Sequence, residues 1–134
     1  MVKSARTLLT NQELEIMKIV WKRGRSTVRE VYEELLKRRK IAYTTVMTMM
    51  GTLEQKNHLK KSEQGRAYLY MPTESQSKVV RGMVEEFVKR VFNGSAKPLL
   101  VHLVETMEGE EELEELRRLL KGKAGGLKEE RGKK

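Results

Sequence analysis

The chain has 134 residues, a formal net charge of +9 and no cysteine. This length fits one domain, or one small domain with an appendage. The absence of cysteine excludes disulfides, thiolate metal ligands and cysteine nucleophiles. No apolar run is long enough to span a membrane and the N-terminus lacks the apolar core of a signal peptide, so we expect a cytoplasmic protein.

The positive charge is concentrated in the first half of the chain. Residues 1–74 contain 15 Lys or Arg against 8 Glu, whereas residues 75–134 contain 13 against 11. This asymmetry predicts a polyanionic partner for the first half, with a generally basic surface as the simpler alternative. The lead-in Met1–Leu8, which includes Lys3 and Arg6, is expected to be loose and able to touch a phosphate backbone.

Two amphipathic helices are predicted after the lead-in. Thr10 with Glu13, and Thr27 with Glu30, have the spacing of a capping box, which places a helix start at each threonine. The second helix ends in the cationic run Lys37–Lys40. Cations favour a helix C-terminus, and they equally suit contacts with phosphates, so both interpretations stay open.

The third predicted helix, residues 42–56, has two unlike faces. Val46, Met49, Met50 and Leu53 recur at positions i, i+3, i+4 and i+7, which predicts a buried apolar face. The opposite face carries Thr44, Thr45, Thr48, Thr52 and Gln55. Threonine is a poor helix former, but its short side chain can approach a phosphate or a base edge, and its methyl can touch a thymine methyl. The alternative is a solvated face on which threonine is merely tolerated.

Two further residues of this helix are unusual. Met47 is expected to be exposed, although the neighbouring methionines belong to the core face. Gly51 lies inside the helix, where glycine costs about 1 kcal/mol relative to alanine. Close approach of DNA or of a neighbouring helix would explain the glycine, and the sequence does not choose between them.

A β-hairpin is predicted next. Residues 59–63 and 67–71 alternate on either side of a glycine-containing turn, Arg66 lies at the tip, and Pro72 ends the second strand. Three helices followed by a hairpin is the element order of a winged helix-turn-helix. In that architecture the third helix enters the major groove of DNA and the hairpin touches the flanking backbone.

Residues 75–121 are predicted to form three more helices with more apolar surface than so small a region can bury. The simplest cover is the same surface on a second copy of the chain, so we expect a homodimer. The expected interface residues are Val80, Val84, Phe87, Val91, Leu99, Leu103, Leu113, Leu116 and Leu120. The predicted organisation is a winged helix-turn-helix over 1–73, a helical dimerisation region over 74–121 and a disordered charged tail over 122–134. This is a mostly α fold with one small β-hairpin.

The motifs together resemble the penicillinase-repressor family (BlaI/MecI/CopY). The matching stretches are Leu9-Thr10 with Glu13, Met17 and Val20-Trp21, then Thr27–Val31, Ala42–Val46 with Thr48, Gly65-Arg66 with Tyr68, Tyr70 and Pro72, and Val91–Ser95. The resemblance covers roughly residues 8–120. It implies a dimeric transcriptional repressor, similar to antibiotic-resistance regulators, that binds a pseudo-palindromic operator. Thr52 stands where the family usually has Arg, and Asn57 where it usually has Gly. The cysteine cluster of the copper-responsive members is absent.

The resemblance also bears on how repression ends. In antibiotic-responsive members, a membrane-bound sensor leads to cleavage of the repressor at an Asn-Phe bond in the dimerisation region. The bond in the same place here is His102-Leu103, within a predicted helix whose Leu99, Leu103 and Val104 are expected to pack inward. We predict that this chain is not released by that cut, which leaves a sensor-linked protease open as a partner.

These observations define the candidate site. Base reading is assigned to Thr44, Thr45, Met47, Thr48 and Thr52. Phosphate contacts are assigned to Lys37, Arg38, Arg39, Lys40, Lys60, Lys61 and Arg66. No enzyme activity, catalytic residue, metal site or cofactor is predicted, because His58 and His102 lie in different segments without further ligands at metal spacing. The alternative function is a winged-helix module that binds protein without reading DNA sequence, which would favour an apolar or acidic exposed face on the third helix.

Overall fold

The computed structural model describes residues 9–132, with side chains described as far as Lys123. Within that range six helices and one two-stranded antiparallel hairpin follow one another, which confirms the predicted mostly α fold. The elements are α1 (Asn11–Arg23), α2 (Val28–Leu36), α3 (Tyr43–Gln55), β1 (Leu59–Gln64), β2 (Ala67–Pro72), α4 (Gln76–Phe92), α5 (Lys97–Thr106) and α6 (Glu110–Gly132). The chain divides between Glu86 and Phe87 into two compact units. The lead-in Met1–Leu8 lies outside the described residues.

Both predicted capping boxes are present. The Thr10 hydroxyl accepts a hydrogen bond from the Glu13 N–H at 3.1 Å, and the Glu13 carboxylate accepts one from the Thr10 N–H at 3.0 Å. Thr27 and Glu30 make the same pair of bonds at 3.2 and 2.9 Å. Each box satisfies two backbone donors that a helix start would otherwise leave unpaired, so it fixes where α1 and α2 begin.

Helices α1 to α3 and the hairpin enclose one hydrophobic core. Val46, Met50 and Leu53 are fully buried and Met49 is partly buried, which confirms the predicted inner face of α3. The remaining fully buried apolar side chains are Ile16, Met17, Val20, Val31, Leu35 and Leu59. Because α3 buries one face here, its threonine face is left on the surface.

The hairpin is tied to the helices through its second strand. Tyr70 of β2 and Ser26, just before α2, exchange backbone hydrogen bonds of 2.8 and 2.9 Å. Within the hairpin, Lys61 pairs with Tyr70 and Gln64 with Ala67. The bridge therefore places the hairpin beside the N-terminal end of α2.

Helices α4 to α6 leave most of their apolar side chains exposed. Among their described side chains only Val79 is buried. Leu103 and Val104, expected to pack inward, are 45% and 37% exposed, so that expectation is wrong for the single chain. Within the described range none of the helices is both long and apolar enough to cross a bilayer.

The last helix is longer than expected. α6 continues to Gly132, so the backbone of 122–132 is helical where the sequence favoured a disordered tail. A helix satisfies its own backbone hydrogen bonds and needs no apolar face to do so, which is why composition alone misplaced its end. Residues 133–134 lie outside the described range, and the two boundaries between the three predicted regions stay predictions.

Candidate nucleic-acid interface

The outer face of α3 is a threonine surface. At about 100° per residue, Thr44, Thr48 and Thr52 lie opposite the buried Val46 and Met50. Thr44 and Thr48 are exposed and Thr52 is half-buried. The Thr52 hydroxyl donates to the Thr48 carbonyl at 3.1 Å, so its proton is used within the helix and its oxygen remains as an acceptor. Thr45 is also exposed, farther around the helix.

A second stripe of α3 lies between the threonine surface and the hairpin. Tyr43, Met47 and Gly51 follow one another at i, i+4 and i+8. Tyr43 is 38% and Met47 47% exposed, which agrees with the predicted exposure of Met47. Tyr43 stacks edge-to-face on Tyr32 of α2 at 5.4 Å between ring centroids. This contact fixes the start of the stripe.

The stripe forms one wall of a groove of about 670 Å³, which we call the wing groove. The other walls are the N-terminal end of α2 and the hairpin. Its cations are Arg29, Lys61 and Arg66, and no acidic residue of the described chain belongs to the lining. The Arg29 guanidinium lies 5.9 Å from the centroid of the Tyr43 ring. The groove therefore combines aromatic walls with positive charge.

The two lysines of β1 have different surroundings. The Lys61 Nζ lies 3.3 Å from the Glu54 carboxylate of α3 and 4.4 Å from the centroid of the Tyr68 ring. The hydrogen bond with Glu54 raises the pKa of Lys61 above its ordinary value. Lys60, on the other face of the strand, is exposed. Lys61 thus holds the hairpin to α3, a role that the sequence alone did not separate from that of Lys60.

The cationic run after α2 is partly engaged in ion pairs. Lys37 contacts Glu34 at 2.9 Å, and Arg39 and Arg38 contact Glu15 of α1 at 2.7 and 3.7 Å. The Glu15 contacts join the C-terminal end of α2 to α1. Lys40 is exposed. The assignment of this run to phosphates stays a prediction.

A buried ion pair at the other end of α3 was not anticipated. Glu13 is only 5% exposed, and both of its carboxylate oxygens accept a hydrogen bond from the Lys56 Nζ at 2.9 Å. Burial alone would raise the pKa of Glu13, but the bonds from Lys56 and the Thr10 N–H outweigh burial and hold that pKa below its ordinary value. The pair joins the end of α3 to the start of α1. It therefore helps to hold α3, and with it the threonine surface, in its orientation relative to α1.

The predicted dimer residues lie on α4 to α6. Val80, Val84, Phe87, Val91, Leu103, Leu113 and Leu120 are exposed, whereas Leu99 and Leu116 are half-buried. Phe87 packs edge-to-face on Phe92 at 5.8 Å. On α4 the exposed apolar residues recur at i, i+4, i+7 and i+11, which is one stripe along the helix. Their role at an interface stays a prediction.

The two histidines have different surroundings. His58 is buried beside the end of α3, whereas His102 is exposed on α5. Among the residues that the structure describes, no group of three or more His, Cys, Asp or Glu could hold a metal ion.

The chain is similar to several known proteins. The profile of the penicillinase repressor family matches residues 9–122. The transcriptional regulator BlaI of Mycobacterium tuberculosis is 39% identical over 116 residues, which cover 85% of this chain and 83% of that protein. The penicillinase repressor of Bacillus licheniformis is 29% identical over 113 residues, covering 84% and 88%. A solution structure of the DNA binding domain of the repressor BlaI matches with a TM-score of 0.48 and 33% identity, over 52% of this chain and 84% of that one.

Proposed function

Because the chain belongs to the penicillinase repressor family, we propose that it is a transcriptional repressor that binds DNA as a homodimer. The observation that carries the proposal is the exposed threonine surface of α3, flanked on one side by a groove whose charged side chains are all cations. An apolar or acidic surface in that position would instead have favoured a protein partner. A repressor of this kind acts where the chromosome is, so we place it in the cytoplasm.

Helix α3 is the reading element of the proposal. Its exposed hydroxyls and the Met47 side chain have the size and chemistry to contact base edges and thymine methyls in the major groove. The readers are Thr44, Thr45, Met47, Thr48 and Thr52. Thr52 lies at the edge of the surface, with its proton already donated to the Thr48 carbonyl.

Phosphate contacts hold the protein in register while carrying no sequence information. Arg66 at the hairpin tip, Lys60 or Lys61, and the run Lys37–Lys40 supply them. Lys37 is largely exposed in its pair with Glu34, so exchanging that carboxylate for a phosphate costs little. Glu15, which pairs with Arg38 and Arg39, is only 22% exposed, so releasing those two arginines costs more.

Dimerisation through α4 to α6 makes the operator two-fold symmetric. The two copies of α3 then lie about 34–36 Å apart, one turn of DNA, or a multiple of that distance. The exposed apolar stripe of α4 supports this assignment, because such a stripe is costly on a monomer.

Release by the family's usual cut is not part of the proposal. The His102-Leu103 bond lies inside α5, and a protease needs an extended backbone, so the helix must open before cleavage. We expect the intact mass of the protein to stay unchanged when its host is exposed to a β-lactam. A fragment ending at His102 would contradict this.

The experiment for the main proposal selects duplexes from random sequence with the purified full chain. We expect enrichment of a two-fold symmetric sequence. Thr48→Ala should weaken binding to that duplex about 30-fold and binding to random DNA less than twofold, since each of the two subunits loses a base contact that contributes on the order of 1 kcal/mol. The control is Thr106→Ala, an exposed threonine on α5. No enriched sequence would reject the proposal in favour of a protein-binding module.

A further inference from the structure

Gly51 has no explanation within the folded chain. It lies inside α3 with helical backbone, where no left-handed conformation requires glycine. A Cβ built at this position meets no atom of the described residues within 4 Å, helix backbone aside. A neighbouring helix of the chain is therefore not the reason for the glycine. Alanine would be accommodated by the fold and would favour the helix, so glycine here weakens α3 with no gain in packing.

The empty space beside Gly51 is part of the wing groove. Gly51 shares that lining with Met47, one turn earlier on α3, and with Tyr68 on the hairpin. At about 100° per residue, Gly51 lies between the Met47 side chain and the threonine surface. The open space thus directly adjoins the residues proposed to read bases.

The charge of the groove favours an anion. Arg29 and Arg66 belong to its lining, and both are exposed. Arg29 has one exposed ion pair, to Glu33 at 3.6 Å, which an incoming phosphate can replace at little cost. The third cation, Lys61, is held by Glu54, which leaves the two arginines as the available phosphate ligands.

We propose that one sugar-phosphate strand of the operator lies in the wing groove, with a phosphate held by Arg29 and Arg66 and a deoxyribose against Gly51. This inference rests on the proposed function and adds a contact site to it. The apolar walls suit a deoxyribose, the arginines suit a phosphate, and the missing Cβ lets the strand approach by about 1.5 Å more, the length of one carbon–carbon bond. Glycine at position 51 therefore trades helix stability for DNA affinity.

The test is Gly51→Ala in the full chain, measured on the duplex that the wild-type protein selects. We expect the melting temperature to rise by about 2–5 °C, because alanine favours the helix. We expect affinity for the duplex to fall at least tenfold, because the methyl group occupies the space of the sugar. Gly51→Leu, with a larger side chain, should lower the affinity for the duplex further.

The matched control is Gly82→Ala on α4. Gly82 is also helical with open space around the built Cβ, and it lies about 180° around α4 from the stripe of Val80, Val84 and Phe87. Gly82→Ala should raise the melting temperature by a similar amount and leave the affinity for the duplex unchanged. Wild-type affinity in Gly51→Ala would overturn the inference while leaving the repressor intact. Failure of the wild-type protein to select any duplex would instead reject the proposed function itself.

A chemical probe identifies the phosphate. Each phosphate of the selected duplex is replaced in turn by a neutral methylphosphonate. We expect one position per half-site at which replacement weakens wild-type binding but has little further effect on the double variant Arg29→Gln/Arg66→Gln or on Gly51→Ala. If every replacement weakens the wild type and these two variants by the same factor, no phosphate lies in the groove.

Discussion

The region of α1 to α3 with the hairpin, and the region of α4 to α6, use apolar side chains in opposite ways. The first buries them: every buried apolar residue of the described chain except Val79 belongs to it. The second exposes them, with Val84, Val91 and Leu120 each about half exposed. We call these the winged-helix region and the helical region. The difference teaches that one region is stabilised by its own core, whereas the other needs a cover from outside its own fold.

Removing the same leucine atoms from each region gives the largest expected contrast. Leu53 of α3 is fully buried, whereas Leu119 of α6 is 71% exposed. We expect Leu53→Ala to lower the free energy of unfolding by about 2–5 kcal/mol, because it leaves a cavity, and Leu119→Ala to change it by less than about 0.5 kcal/mol. Chemical denaturation measures both. Equal losses would show that the two regions are packed alike, against the comparison above.

A charge placed on the exposed apolar stripe of α4 tests whether a second copy of the chain packs against that stripe. We expect Phe87→Lys to raise the dimer dissociation constant at least about 100-fold, the cost of a lysine in an apolar interface. Analytical ultracentrifugation measures the constant, and circular dichroism checks that the winged-helix region stays folded.

The matched control adds the same charge to the other side of the helix. Gly82 lies about 180° around α4 from the stripe that contains Phe87, so Gly82→Lys should leave the dimer intact. If both variants dissociate the dimer, the effect of the added charge is not specific to the stripe. If neither does, or if the wild type is a monomer at micromolar concentration, the stripe is not the interface.

Local signals predicted well what is decided locally. The capping boxes at Thr10 and Thr27 need only four consecutive residues, and the buried face of α3 needs only a helical period. The structure confirms all three. For the same reason the order of helices and hairpin could be derived from the chain.

Contacts between distant residues could not be derived in this way. Glu13 had a complete local role as a capping partner, so nothing in the sequence indicated that Lys56 would also reach it. Lys60 and Lys61 are chemically alike, and only the register of β1 against α3 separates them. The end of α6 was missed because helix continuation there needs no apolar signal.

The Glu13–Lys56 pair gives a prediction of intermediate size. The pKa of Glu13 is lowered in the folded protein, so the pair stabilises the fold above the ordinary carboxyl value of 4.5 and loses that contribution as pH falls through the lower folded value. We expect Glu13→Gln to cost about 1–3 kcal/mol at pH 7, with the deficit shrinking as pH falls below 4.5. Urea titrations across this pH range measure it.

A pair in the helical region is the control for that change. Glu114 and Arg117 are 3.4 Å apart, with both side chains largely exposed. Glu114→Gln should change stability at pH 7 by less than about 0.5 kcal/mol. If Glu114→Gln lowers the free energy of unfolding as much as Glu13→Gln does, burial does not determine how much either ion pair stabilises the fold.

The smallest expected effect concerns single lysines and the salt dependence of DNA binding. Each phosphate contact contributes about 0.9 to the slope of log K against log salt, so losing one contact in each subunit lowers the slope by about 1.8. We expect that loss for Lys60→Gln, because Lys60 is exposed on the hairpin. Lys61→Gln should change the slope less, since the Lys61 charge is already paired with Glu54. Lys97→Gln at the start of α5 should leave the slope unchanged. If Lys61→Gln lowers the slope by about 1.8 and Lys60→Gln leaves it unchanged, the two roles are reversed and Lys61 is the phosphate ligand.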